Sequence, residues 1–250
     1  MNATTSPETT SNRCIKLRRP NHEFPMRAAI TADYRQITDC TESYYDRLGD
    51  SALGMGWPNV ADAVKRYNVM LDVIHQNHSS PVRLLDFGCG AGHLYEHICS
   101  QGRADIQYSG IDLSERFIGQ CHSKHPAADF KCLDVLKKPQ QLPQFDYAII
   151  NGVFTSKCQM TFDEMQSFFQ QIISLLYSHC RIGIAFNAMS KQVDWEREDL
   201  FHLPLDRMAD FVCGNLSRNF VIRNDYGLYE YTTYVYREPT SPQTMPKPGA

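Results

Sequence analysis

No stretch of the 250-residue chain approaches the roughly 18 consecutive apolar residues that a membrane span requires. The N-terminus also lacks the apolar core of a secretory signal. A soluble, cytoplasmic protein with no membrane partner is expected. Positive charge is not in excess either. Lys and Arg number 25 against 28 Asp and Glu, so no global field gathers nucleic acid, and none is expected as a partner. None of the nine cysteines falls in a Cys-x-x-Cys pair, which argues against a thiolate zinc site and a disulfide lattice and favours a reducing compartment. No metal is expected. What is present, 42% hydrophobic and 21% charged residues, is the composition of a globular protein with room for one large domain.

Residues 1–25 are rich in Thr, Ser, Asn and Pro with a few Arg and Lys, too poor in apolar groups to pack, and read as a disordered tail. Residues 238–250 are likewise polar and broken by proline. Between 26 and 80 a helical cap is predicted: Val60, Val64, Tyr67, Leu71 and Ile74 recur at helical spacing behind the capping candidate Asn59, with a weaker helix upstream over 31–48. From 81 to 237 short apolar runs alternate with helical segments. The runs are 82–87, 106–112, 129–134, 145–150 and 181–187. The clearest helix carries Met165, Phe168, Phe169, Ile172, Ile173 and Leu176 on one stripe behind a Thr161/Glu164 capping box. Such alternation implies a parallel sheet covered on both faces. A charged insertion at about 188–219 reads as a lid with two helical pieces, VDWERED and LDRMADFVCGNL. Two final runs, 220–224 and 229–237, are joined by so short a link that they must pair antiparallel.

The first run leads directly into Gly88-Cys89-Gly90-Ala91-Gly92 and a helix. Glycines let backbone approach a ligand closely, and the helix N-terminus beyond offers free N–H groups. Asp86 stands beside this loop. Asp112 closes the next run, placed to accept both hydroxyls of a ribose, and Asp134 closes the third, where an adenine would lie. A dinucleotide oxidoreductase would need Gly-x-Gly-x-x-Gly, but His93 or Tyr95 stands at the third glycine in either register. His93-Leu94-Tyr95-Glu96-His97 matches a zinc-protease pattern, yet it lies on the helix that the glycine loop commits to a cofactor.

The DFGCGAG loop, the GID acid, the Leu-Asp after the third run and the terminal antiparallel pair together resemble the class I S-adenosylmethionine-dependent methyltransferases, over roughly residues 57–237. The resemblance implies an α/β, Rossmann-like fold: a seven-stranded, mostly parallel sheet with an antiparallel last strand and helices on both faces. It implies S-adenosyl-L-methionine as cofactor. Asp86 and Gly88, Cys89, Gly90 and Gly92 would line its methionine part, with Asn151 and Gly152 bordering the transferable methyl. Asp112 with Leu113 would take the ribose, and Asp134 with Val135 the adenine. Arg66 is a candidate for the cofactor carboxylate.

After the fourth run stands Asn151-Gly152-Val153-Phe154, without the paired prolines of methylases that act on amino groups of adenine or glutamine. A small metabolite methylated on O or N is therefore expected, sugar-like or a specialised biosynthetic intermediate. The alternatives are a catalytically silent module that binds cofactor or a partner, and a protein or nucleic-acid methyltransferase. His202 is the candidate general base, because imidazole titrates near working pH. Trp195, Asn187 and Tyr45 are the candidate acceptor contacts. A monomer or homodimer is expected.

Overall fold

A computed structural model describes residues 33–74 and 81–240. The predicted N-terminal tail and all but three residues of the C-terminal one lie outside these ranges. Two helices lead the chain, α1 (Arg35–Leu48) and α2 (Val60–Leu71), the second capped by the Asn59 side chain on the Asp62 N–H. The strands are β1 (Val82–Phe87), β2 (Ile106–Asp112), β3 (Asp129–Cys132), β4 (Phe145–Ile150), β5 (Cys180–Ser190), β6 (His202–Leu203), β7 (Asn219–Arg223) and β8 (Glu230–Tyr236). Between them lie α3 (His93–Ser100), α4 (Glu115–Lys124), α5 (Phe162–His179) and α6 (Leu205–Asn215).

The strands lie in the order β3-β2-β1-β4-β5-β8-β7, with β6 as a two-residue appendage pairing the end of β5. β1 to β5 run parallel, while β8 is inserted antiparallel between β5 and β7. The chain winds outward from β1 through β2 to β3, then returns to β4 on the other side. That reversal opens a crevice beyond the carboxyl ends of β1 and β4, where ligands bind in open α/β sheets.

Alternate residues feed two apolar layers. Leu85, Ala148, Ile184, Phe186 and Val235 pack with Met165, Phe168, Phe169 and Ile172 of α5. Leu84, Tyr147, Ile149, Ala185 and Tyr234 pack under α2, α3 and α4. The α5 capping box forms as expected, with Thr161 and Glu164 each accepting from the other's backbone N–H.

Three local expectations differ. The Val193–Asp199 stretch forms no helix; bends and ion pairs from Lys191 to Glu196 and Arg197 to Asp199 hold it instead. β5 runs on to Ser190, so Asn187 belongs to the sheet rather than to the edge of a lid. All seven residues of β8 are buried, because both of its edges are paired and both faces are covered.

Candidate active site

The strand ends build a crevice of about 450 Å³. Its floor is the glycine loop. Gly88, Gly90 and Gly92 all have positive φ (75°, 52° and 86°), which side chains rarely adopt, and the loop is tied to β2 by Gly88 and Cys89 N–H groups on the Ile111 carbonyl. A Cβ on Gly88 would come within 2.3 Å of Val153 Cγ2, and one on Gly90 within 2.3 Å of Met55 Cε. The cradle therefore has room for backbone alone.

Two carboxylates face it from the ends of adjacent strands. Asp112 accepts from Gly90 N at 2.8 Å and from Ser114 N at 2.9 Å, which fixes its plane and leaves each oxygen lone-pair capacity for a diol. Burial raises its pKa. Asp86 is buried and accepts from the Tyr108 hydroxyl at 2.6 Å. Burial pushes it up to about 7, against the pull of Tyr108 and with help from the neighbouring Asp112. Two acids and a bare backbone cradle suit a ligand bearing a cation and a pair of hydroxyls.

Asn151 and Gly152, past β4, also line the crevice, as do Cys89 and Leu113. Gly152 (φ 84°) sits inside a ring of contacts that sequence reading missed. Its N–H donates to Asn187 Oδ1 at 2.8 Å, and Asn187 Nδ2 donates to Glu230 Oε1 at 2.9 Å. Glu230 takes Arg66 through Nε at 3.0 Å and Nη2 at 2.9 Å. Arg66 lies over the Trp57 ring at 4.5 Å, and Trp57 closes the ring: a Cβ on Gly152 would lie 2.4 Å from its Cη2. The available signal was a lone glutamate in an otherwise uncharged aromatic strand.

The structure withholds other expected residues from the crevice. His202 is buried, with Nδ1 2.7 Å from the Ser190 carbonyl and Nε2 accepting from Arg197 N at 3.2 Å. Both ring nitrogens serve the main chain, so neither is free to take a proton. Arg66 does not line the crevice; two of its nitrogens hold Glu230, and Nη1 has no hydrogen-bond partner. Asn187 is fully buried behind Gly152 and acts through it. Trp195 is 63% exposed and packs on Tyr229 outside the crevice. Tyr45 turns away to set its ring edge on Phe117 at 5.2 Å, leaving the crevice to Tyr44.

Asp134 faces a neighbouring hollow. Burial works to raise its carboxyl, but the Tyr34 hydroxyl at 2.9 and 3.0 Å, together with Lys137, outweighs it and lowers the pKa. Tyr34, stacked on Phe168, thus stands between Asp134 and the crevice. Val135 is buried in the apolar layer, and Gly92 packs toward Cys121 and Phe130. His93 and His97 of the zinc-like pattern have separate partners, Asp50 at 2.7 Å and Asn68 at 2.8 Å.

The roof is α1, with Ile37, Thr38, Thr41 and Tyr44, continued by Met55 to Pro58. Glu42 of α1 accepts from the Ser114 hydroxyl and so joins the roof to the end of β2. Thr155, Ser156, Arg197, Asp199 and Leu200 form a side wall.

Residues 85–182, from within β1 to the start of β5, match the family model of the methyltransferase domain. The matched segment holds Asp86, the glycine loop, Asp112 and the Asn151-Gly152 turn, so the crevice lies largely in the part of the chain that is similar to methyltransferase domains. A protein of Mycobacterium tuberculosis described as a methyltransferase, Rv1506c, is 26% identical over 164 residues, covering 64% of this chain and 95% of that one. Magnesium protoporphyrin IX methyltransferase (ChlM) from Synechocystis PCC 6803, solved with bound S-adenosylmethionine, has a TM-score of 0.56 at 17% identity, covering 85% of this chain and 100% of its own. The plantazolicin methyltransferase BamL, solved with a triazolic desmethylPZN analogue and S-adenosylhomocysteine, also gives 0.56, at 12% identity over 81% of this chain and 93% of its own. At these identities the likeness is one of fold. No helix among the described residues is long and apolar enough to cross a membrane.

Proposed function

We propose that the chain transfers a methyl group from S-adenosylmethionine to an oxygen or nitrogen of a small acceptor held between α1 and the Thr155–Leu200 wall. The observation that carries this is the convergence, in one crevice, of Asp86, the side-chain-free Gly88–Gly90 cradle, Asp112 and the Asn151-Gly152 turn. When bound, the cofactor supplies a methyl already activated on a sulfonium. Asp112 accepts the ribose hydroxyls, Asp86 as a carboxylate receives the ammonium, and Leu113 borders the nucleoside. The Asn151-Gly152 turn, braced by Asn187, sets the edge against which acceptor and methyl align.

Alignment of nucleophile, carbon and sulfur accounts for much of the acceleration in such a transfer. His202, the expected base, has both ring nitrogens on the main chain, while His93 lines the crevice with Nε2 on Asp50, so this reading rests on positioning by the crevice and not on His202. α1 and the segment from Leu53 to Pro58 act as a cap, and the free cysteines among the described residues suit the cytoplasm. The deciding experiment follows S-adenosylhomocysteine release from labelled cofactor with pooled small metabolites. Release that depends on the pool, and disappears in Asp112→Ala, is expected. Cofactor binding without release in any pool would favour a silent binding module.

A further inference from the structure

The chemical class of the acceptor can be taken further, resting on the reading just given. α1 contains no buried residue, although Ile37, Thr41, Tyr44 and Leu48 recur at spacings of three and four along one side and all line the crevice. An amphipathic helix ordinarily spends such a stripe on core. Here Ile37 also packs against the α5 layer, while Thr41, Tyr44 and Leu48 face the cavity. Deep in that cavity Phe87 and Ile111 are shielded, but at its mouth Tyr44, Leu48 and Leu53 remain 41%, 48% and 51% exposed. Large apolar side chains gathered at one opening mark a binding surface. Another wall differs: Thr155 and Ser156 give their hydroxyl protons to the Gly152 and Asp199 carbonyls and keep oxygen lone pairs as acceptors, and Arg197 is paired with Asp199, so that wall presents polarity without net charge.

We infer that the acceptor is amphiphilic and uncharged at its reacting end, with an apolar body, aromatic or branched aliphatic, lying along Tyr44, Leu48 and Leu53. Its hydroxyl or amine points to the Thr155–Ser156 side, where the turn after β4 borders the methyl. A sugar, with hydroxyls on every edge, would set some of them unpaired against the α1 stripe. The mutual neutralisation of Arg197 and Asp199 removes any strong preference for an anionic group.

The test uses the full-length chain saturated with S-adenosylhomocysteine and titrated with 8-anilinonaphthalene-1-sulfonate as an apolar probe. One saturable site is expected, weakened at least fivefold in Leu48→Asn and in Leu53→Asn, which make the surface polar without setting a charge against the sulfonate of the probe. Both positions are half exposed, so circular dichroism should stay at the wild-type value, and each variant is saturated with S-adenosylhomocysteine at its own measured affinity before the probe is added. Failure of S-adenosylhomocysteine to bind the wild-type chain would count against the cofactor site itself and is read separately by calorimetry. With cofactor binding intact, absence of a saturable probe site, or a site indifferent to both substitutions, overturns the inference. A parallel turnover assay compares naphthols and aryl amines with monosaccharides. Turnover of the sugars alone would also overturn it.

Discussion

Asp86 and Asp112 close neighbouring parallel strands, yet burial places them in different states. Asp112 has two backbone N–H donors to offset its desolvation; Asp86 has one tyrosine hydroxyl and rises to about 7. The folded pKa of Asp86 thus lies above its ordinary value, so the group is protonated as pH falls through 7 and loses its attraction for an ammonium. Affinity for S-adenosylhomocysteine should drop about tenfold between pH 8 and pH 6, and Asp86→Asn should bind weakly at both, with the pH dependence removed. Calorimetry across that range checks it. Asp112→Asn removes the charge and sets an amide donor against the Gly90 or Ser114 N–H, and should weaken binding by at least about 2 kcal/mol. Both acids were legible in the sequence because each ends an apolar run next to a glycine loop. Arg66 was not: its partner Glu230 is 164 residues away, a distance at which no local pattern speaks.

Among the elements, the turn after β4 shows how a strand on the far side of the sheet shapes the site. β8 enters antiparallel beside β5, which brings Glu230 opposite Met189 and within reach of Asn187. Glu230→Ala would leave the Arg66 guanidinium buried and unpaired, and should cost about 3–5 kcal/mol in urea unfolding. Glu230→Gln, which keeps an acceptor for Asn187, should cost less. Gly152→Ala meets Trp57 at a positive φ and should lose about 1–3 kcal/mol while also weakening cofactor binding. The aromatic run at 229–237 reads as an ordinary two-faced strand on composition alone. Only its place between β5 and β7, with both edges paired, explains why every residue of β8 is buried. The helix expected over VDWERED fails for a related reason: Lys191–Glu196 and Arg197–Asp199 pair within the segment, whose Ser156–Leu200 bridge ties it to the turn after β4.

For the molecule as a whole, α1 has no buried residue and is held by Tyr34 on Asp134 and Phe168, Ile37 against the α5 layer, Tyr45 on Phe117, Glu42 on Ser114 and Gln36 on Gln159. A ligand filling the crevice beneath it should therefore stabilise the whole fold and quiet α1. S-adenosylhomocysteine at about 100 times its Kd should add about 2.7 kcal/mol, raising Tm by about 5–10 °C for a chain of this size. Amide exchange in Thr38–Tyr45 should slow in parallel, read by mass spectrometry. An unchanged Tm with measurable binding would mean that the unfolded chain binds as well.

By itself the sequence determined the alternation of strands and helices, the backbone-only cradle and the two strand-end acids, because these depend on local period, on glycine's freedom at positive φ and on the residue that ends each run. Tertiary structure decided which groups face one another across the crevice. It placed Tyr34 between Asp134 and the cavity, gave both nitrogens of His202 to the main chain, paired Arg66 with Glu230 and turned Thr41, Tyr44 and Leu48 of α1 toward the crevice. Those outcomes follow from contacts between residues far apart in the chain, whose pairing is settled by the order and direction of strands in the sheet and not by any spacing within a segment.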